Sequence, residues 1–236
     1  LGLGAAARKA GVRIFENSRV ESVNAGDPVT IKTKNATIRA THLALGCNGY
    51  IGGLEPRVSR RVMPINNYIV ATEPLDEATA TALIAEDHAV ADSRFVINYF
   101  RLSEDRRMLF GGGESYGYRF PTDIAALVRK PMLKVYPQLR DTKIDYAWGG
   151  TLGITMSRMP HFERINGNIL SAGGFSGHGV AMATLAGQIM AEAIEGQATR
   201  FDLMAGVPTP RFPGGAILRW PLLVLAMTWF SLRDRI

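Results

Sequence analysis

The segment from Ile169 to Ile194 restricts the fold of this 236-residue chain more than any other part of it. Ile169 to Ala172 is a short apolar run of the kind that forms a buried strand. Gly173, Gly174, Gly177 and Gly179 then break the regularity, as a tight turn with close backbone approach requires. From Val180 the pattern becomes helical, with Ala181, Leu185, Ile189 and Ala193 recurring every four residues among small Ala and Gly. Strand, glycine turn and helix follow in that order. Such a unit aims several unpaired backbone N–H groups at one place, beside the positive end of a helix dipole. That suits an electron-rich ligand edge, such as a phosphate or the carbonyl-bearing rim of a ring. On glycine spacing alone, an ordinary strand-to-helix connection stays ahead of a ligand site.

The remainder divides into blocks. Leu3, Ala6, Ala7 and Ala10 mark one face of a helix that Gly11 stops, and Val12 to Phe15 reads as a strand. Arg19 to Val23, Val29 to Thr33 and Thr37 to Ala40 are short and β-rich, which predicts a small antiparallel meander. His42 to Leu45 is a buried strand running into another glycine turn at Gly46 and Gly49. From Arg61 the character changes. Val62 to Thr72, Val96 to Leu102, Arg107 to Gly112 and Lys143 to Gly149 alternate apolar with polar or aromatic residues, as strands with one covered face do. Helices are expected over Asp76 to Ala85 and Thr122 to Tyr136, the second kinked or split at Pro131. In the tail, Ala216 to Leu232 is apolar and aromatic but carries Arg219 and Pro221. After Pro221 only about eleven apolar residues remain, short of the ~20 a spanning helix needs. A helix docked on another part of the protein or on a partner, or one lying in a membrane interface, remains.

Composition excludes several classes. With 47% hydrophobic and 20% charged residues the chain buries a sizeable core and is not a disordered one. The net charge of +6 is scattered, and the denser clusters at Arg57 to Arg61 and Arg101 to Arg107 lack the aromatic interleaving of a nucleic-acid surface. The single cysteine, Cys47, rules out an internal disulfide and fits a reducing, cytoplasmic setting. His42, His88, His161 and His178 show no metal-ligand spacing. Gly174-Phe-Ser-Gly177 misses the nucleophile elbow, which needs a residue between the serine and the second glycine. No G-x-G-x-x-G follows a strand, and no signal-peptide pattern opens the chain.

Gly173-Gly-Phe-Ser-Gly-His-Gly179 resembles the C-terminal flavin-binding motif of the D-amino-acid oxidase, glycine oxidase and sarcosine oxidase family. Asn67 to Leu75, Leu109 to Gly113, Tyr146 to Gly150, Arg158 to His161 and Arg219 to Pro221 are similar to its gamma-glutamylputrescine oxidoreductase branch. The resemblance implies an α/β (α+β) fold: a partial FAD-binding doubly wound sheet, plus an antiparallel-sheet substrate domain with helices on one side. The flavin part is expected over 1–60 and 151–205, the substrate part over 61–150, and an apolar tail helix over 206–236. The family's dinucleotide fingerprint lies near its N-terminus, so this chain, opening at Leu1 inside a helix, is expected to be the C-terminal portion of a larger flavoprotein.

The resemblance assigns FAD contacts to Gly174, Phe175, Ser176, Gly177, His178, Gly179 and Val180, to Val20 on the adenine side, and to Ala44 and Gly46 on the pyrophosphate side. Main-chain donors dominate this set, and they favour negative charge developing on a reduced flavin. Covalent relatives carry a cysteine where Leu152 stands, so non-covalent FAD is expected. A lysine that follows the motif in sarcosine oxidase is Ala181 here, which leaves the electron acceptor open. Trp148-Gly-Gly150 lacks the carboxylate-binding arginine that glycine oxidase places after its Trp-x-Gly. The implied substrate is therefore a small-molecule amine with a distant carboxylate, such as a γ-glutamylated polyamine, oxidised to an imine and then to an aldehyde and ammonia. Tyr99, Trp148 and Arg101 are the substrate-binding candidates, and His178, Tyr99 and Trp148 the catalytic ones. Each has a plainer reading: core aromatic, strand-end arginine, structural histidine. Glu114 stands equally between a cation contact and a surface acid. Amino-acid or sarcosine-type oxidation is the alternative chemistry, and a non-catalytic fragment or accessory subunit the alternative class.

Overall fold

The computed structural model describes residues 2–94, 97–115 and 119–215, with isolated positions between 218 and 229. The tail expectation over 216–232 therefore lies largely outside the described residues, as does the start of the strand expected from Val96. No helix among the described residues is long and apolar enough to cross a membrane.

The chain opens with α1 (Gly2–Lys9), ended by Gly11 at φ +86°. The strand expected over Val12 to Phe15 does not form. Val12, Ile14 and Phe15 are exposed, and no described strand lies beside them to take up their backbone groups. The meander forms as expected, as β1 (Val20–Asn24), β2 (Val29–Thr33) and β3 (Thr37–Ala40), all antiparallel. Next come β4 (Leu43–Leu45), a 3-10 turn over Asn48–Tyr50 and the short α2 (Pro56–Ser59). The meander covers β4 through one core of Val29, Ile31, Leu45, Ile51, Val58, Val62, Ile165 and Ile169.

A five-stranded antiparallel sheet is built from β5 (Met63–Pro74), β6 (Val90–Ala91), β7 (Tyr99–Leu102), β8 (Arg107–Ser115) and β9 (Ile144–Ile154), in the order β6-β7-β8-β5-β9. Its back face carries Tyr68, Val70, Phe100, Leu102, Met108 and Phe110, packed under α3 (Glu77–Leu83) and α4 (Ile124–Val135). Asp76 and Asp123 start these helices by accepting the Thr79 and Ala126 N–H groups at 2.8 Å. Phe100 stacks on Phe110 at 5.4 Å and meets Tyr136 edge-on at 5.1 Å. Pro131 does not split α4, which runs unbroken from Ile124 to Val135 with the proline inside it. It removes one backbone donor, while Val128 and Met132 around it are fully buried and hold the helix against the sheet.

The chain then returns through β10 (His161–Ile165) and β11 (Ile169–Gly173) to form a second sheet, β10-β11-β4, with β11 parallel to β4. The helix α5 (Gly179–Ile194) packs on it with α6 (Thr199–Ala205). Its buried stripe is Ala186, Ile189, Met190 and Ala193, so the every-fourth row contributes Ile189 and Ala193 while Ala181 and Leu185 are exposed. A strict four-residue row drifts by about 40° per step around a 3.6-residue helix, so it leaves the core within two turns. An i, i+3, i+4, i+7 stripe stays on one face.

Gly149 marks where back-face packing leaves no room. A Cβ there would stand 2.6 Å from Tyr68 Cδ1, 2.7 Å from Phe120 and 2.9 Å from the Asn67 carbonyl. Gly149→Ala is expected to cost about 1–3 kcal/mol of unfolding free energy, read as a lowered urea midpoint.

Candidate functional site

The parallel strands β4 and β11 end at the same edge, with Leu43, Ala44 and Leu45 opposite Ile169, Leu170 and Ser171. Gly46 and Gly173 therefore leave the sheet side by side, where parallel α/β sheets place their ligands. Beyond β11 the backbone turns through Gly174 at φ +66°, Ser176 at +51° and Gly177 at +97°. Glycine adopts such angles freely, but Ser176 must be held there. Its N–H donates to the Gly153 carbonyl at 2.9 Å, its hydroxyl donates to the Gly174 carbonyl at 3.2 Å, and the same hydroxyl accepts the Thr155 N–H at 3.3 Å. Phe175 is buried in the core under α5 and pins the turn from below.

The far side of the turn is fixed by Asn48. Its Oδ1 accepts the Gly174 N–H at 2.9 Å. Asn48 has φ +46°, a region asparagine tolerates better than other side chains. Close approach is achieved by glycines on both partners. A Cβ on Gly153 would stand 2.3 Å from Asn48 Oδ1, and one on Gly49 only 2.7 Å from the Leu152 carbonyl. Tyr50 adds a third tie, its hydroxyl accepting the Thr151 N–H at 3.0 Å. The end of β9, the 3-10 turn and the glycine turn thus form one junction.

Helix α5 begins directly on this junction with His178 as N-cap, whose N–H donates to the Phe175 carbonyl. The first bond along the helix runs from the Met182 N–H to the His178 carbonyl, so the N–H groups of Gly179, Val180 and Ala181 have no partner within the helix. Val180 is 99% exposed, and no described residue stands within 4 Å of a Cβ placed on Gly177. The N–H groups and the helix dipole face open space. The donor set fits the pyrimidine edge of a flavin. The His178 ring is exposed and has no hydrogen bond or carboxylate partner among the described residues. Ala44 and Gly46 lie beside the turn, whereas Val20 begins β1 in the separate meander, half-buried against that core. Cys47 is half-buried, and burial pushes its thiol up.

The front face of the five-stranded sheet carries the substrate candidates in rows. Tyr99, Gly111, Ile69 and Trp148 form one row, and Arg101, Leu109, Ala71 and Tyr146 the next. The Tyr99 ring lies across Gly111, where a Cβ would stand 2.1 Å from Cζ, and its hydroxyl donates to Asn67 Oδ1. Trp148 is 44% exposed. Arg101 is exposed and its Nε donates to the Leu102 carbonyl at 2.9 Å. Its row lies seven β9 residues from Gly153, roughly 23 Å at ~3.3 Å per residue. Arg107 closes that end: it bonds Asp145 at 2.7 Å, holding that carboxyl below its usual range, and lies over the Tyr146 ring. The Glu114 side chain is outside the described residues. Asn48, Tyr50 and Asn67 were missed at the level of sequence. Only Asn48, set between Gly46 and Gly49, gave a signal, the turn preference of asparagine.

A separate cleft of about 400 Å³ lies between β10 and the segment after α6. There His161, buried, bonds Thr209 Oγ1 at 2.6 Å and Glu163 at 3.1 Å, while Arg61 Nε donates to the Thr209 carbonyl at 3.2 Å. The His161 bond, and then the Arg61 charge 3.6 Å away, hold the Glu163 carboxyl below its usual range. No group of three or more metal-ligating side chains exists among the described residues.

A family model described as FAD dependent oxidoreductase matches residues 1–193. Gamma-glutamylputrescine oxidoreductase of Escherichia coli (strain K12) is 40% identical over 237 residues, covering 100% of this chain and 56% of that protein. A probable oxidoreductase, OrdL, of Rhizobium meliloti (strain 1021) is 42% identical over 236 residues, covering 100% and 55%. The chain thus spans just over half the length of these relatives. Glycine oxidase from Geobacillus kaustophilus superposes with a TM-score of 0.69 at 19% identity, over 85% of this chain and 54% of that one. L-proline dehydrogenase from P. horikoshii gives 0.67 at 22%, over 84% and 54%.

Asn48→Ala leaves the Gly174 N–H without its acceptor and is expected to lower unfolding free energy by about 1–2 kcal/mol, measured by urea denaturation. For Glu163, a carboxyl held low in the folded state stabilises above the unfolded value, and that contribution disappears as pH falls through the folded value. Glu163→Gln should therefore cost of order 1 kcal/mol at pH 7. The difference from wild type should shrink once pH drops below about 4.

Proposed function

The chain belongs to the family of FAD-dependent oxidoreductases, and on that premise we propose that the polypeptide carrying it oxidises an amine at the C–H next to a neutral nitrogen. The substrate class is a γ-glutamylated polyamine of the gamma-glutamylputrescine kind. The observation that carries the reading is the turn from Gly174 to Val180, set at the shared carboxyl edge of β4 and β11 and at the start of α5.

Bound FAD supplies the two-electron acceptor for the hydride that leaves the substrate carbon. The chain's own residues hold and polarise. The N–H groups of Gly179, Val180 and Ala181, with the α5 dipole, favour negative charge on the ring edge they face. The exposed His178 adds to that field, and no protein base is required of it. Ser176 and Asn48 keep the donors aimed by fixing the turn on both sides. Non-covalent attachment is the reading for a chain with Leu152 where covalent relatives carry cysteine.

The substrate reading draws on three supports: the names of relatives at about 40% identity, the lack of arginine after Trp148-Gly-Gly150, and the aromatic front face with Tyr99 and Trp148. The amine loses its hydride while neutral, and the resulting imine takes up water to give an aldehyde and ammonia.

The test is an anaerobic absorption spectrum of the FAD-loaded polypeptide that contains this chain. Gamma-glutamylputrescine is expected to bleach the flavin band, and acid precipitation to release the flavin into the supernatant. Bleaching by glycine or sarcosine with no response to gamma-glutamylputrescine would reject the substrate class. A yellow pellet after acid would reject non-covalent binding.

A further inference from the structure

We propose that Asn67 is a specificity-determining residue: its side-chain amide donates to the acyl oxygen of the substrate in a slot above Gly150, and so selects acylated over free polyamines. The inference rests on the amine-oxidation reading above and adds a residue and a recognition chemistry to it.

The polarity of the amide is set by Tyr99. The Tyr99 ring is fixed across Gly111, and its hydroxyl donates to Asn67 Oδ1. With its oxygen engaged on the β8 side, Asn67 turns its NH2 group the other way, towards β9, since the two atoms share one planar amide. The residue opposite Asn67 on β9 is Gly150. Side chains alternate along a strand, and the Gly149 position points into Tyr68 and Phe120 on the back face. Gly150 therefore faces front with Asn67. No described residue stands within 4 Å of a Cβ placed there. The result is a slot one side chain wide. Asn67 forms one wall, and the β9 neighbours on the same face, Trp148 and Leu152, bound its two ends.

The chemistry of that slot is narrow. An amide NH2 is a neutral donor, suited to a carbonyl or carboxylate oxygen and offering nothing to an ammonium group. The half-exposed Trp148 ring supplies a flat apolar side for the aliphatic chain beside such an oxygen. Gly150 lies three β9 residues from Gly153, roughly 10 Å at ~3.3 Å per residue, and Gly153 holds the turn through Ser176. A substrate that reacts at the turn and reaches the slot must therefore be extended, with several bonds between the amine and the acyl oxygen. A γ-glutamylated diamine meets that condition. Its parent diamine lacks the oxygen.

The test compares gamma-glutamylputrescine with putrescine by calorimetric titration into the FAD-loaded polypeptide without oxygen, alongside the rate of flavin bleaching. Asn67→Asp keeps the acceptor for Tyr99 but replaces the donor with a negative charge. It is expected to weaken gamma-glutamylputrescine at least about tenfold, the loss of one well-made hydrogen bond. Putrescine affinity should hold or improve. Gly150→Val has room in the free protein and should block the acylated amine by filling the slot, with an unchanged urea midpoint. An equal loss for both amines in Asn67→Asp, or an unchanged affinity ratio, overturns the assignment. So does a wild-type polypeptide that binds putrescine as tightly as the acylated amine, or binds neither. If the acylated amine binds but never bleaches the flavin, the oxidation reading fails, and the affinity ratio still decides the role of Asn67.

Discussion

One hydrogen bond, from the Gly174 N–H to the Asn48 side chain, is the point on which the rest of the arrangement turns. It joins the turn after β11 to the turn after β4, and the space it occupies exists only because Gly153 of β9 has no side chain. Three segments far apart in sequence meet at that amide. The donors at the start of α5 are aimed by it, the Ser176 backbone is kept in an unfavourable region beside it, and the front face of the five-stranded sheet is led up to it through Leu152 and Gly153. A looser contact would leave each element folded and the site unformed, because aim rather than composition makes these main-chain N–H groups useful.

Local patterns were legible in the sequence and long-range ones were not. The meander, β11 and the glycine turn were readable because alternation, apolar runs and glycine are statements about neighbouring residues. Val12 to Phe15 looked like a strand by the same rule and failed, since a strand exists only with a partner for its backbone. The helix α5 was legible from its recurrence, but its buried stripe was not, because the residues that decide it, Phe162 and Phe201 among them, lie on other elements. Pro131 left two outcomes open, a kink or a split, and with Val128 and Met132 buried on either side the helix is not split.

The site followed the same division. Gly174 to Val180 could be named from sequence because the turn is one continuous stretch, and family resemblance gave it a ligand. Ala44 and Gly46 joined it through the parallel pairing of β4 with β11, whereas Val20 sits in the meander. Asn67 could not have been found from spacing. Its meaning comes from Tyr99, two strands away in the sheet, and from the empty position at Gly150 on the other side. Arg101, a candidate because it stands beside Tyr99 and Phe100, lies at the end of the face remote from the turn.

The tie between Tyr50 and Thr151 has a consequence for the protein in a crowded solution. β9 is the last strand of its sheet, eleven residues long, and such a strand offers bare backbone rungs to any other extended chain it meets. The Tyr50 hydroxyl already occupies one of those rungs, at the end where β9 runs into the glycine turn. At the opposite end stand Lys143 and Asp145, charges that a second strand would have to desolvate in order to pair. The contact that joins sheet and turn therefore also takes up one of the backbone groups that a second strand would need in order to pair there.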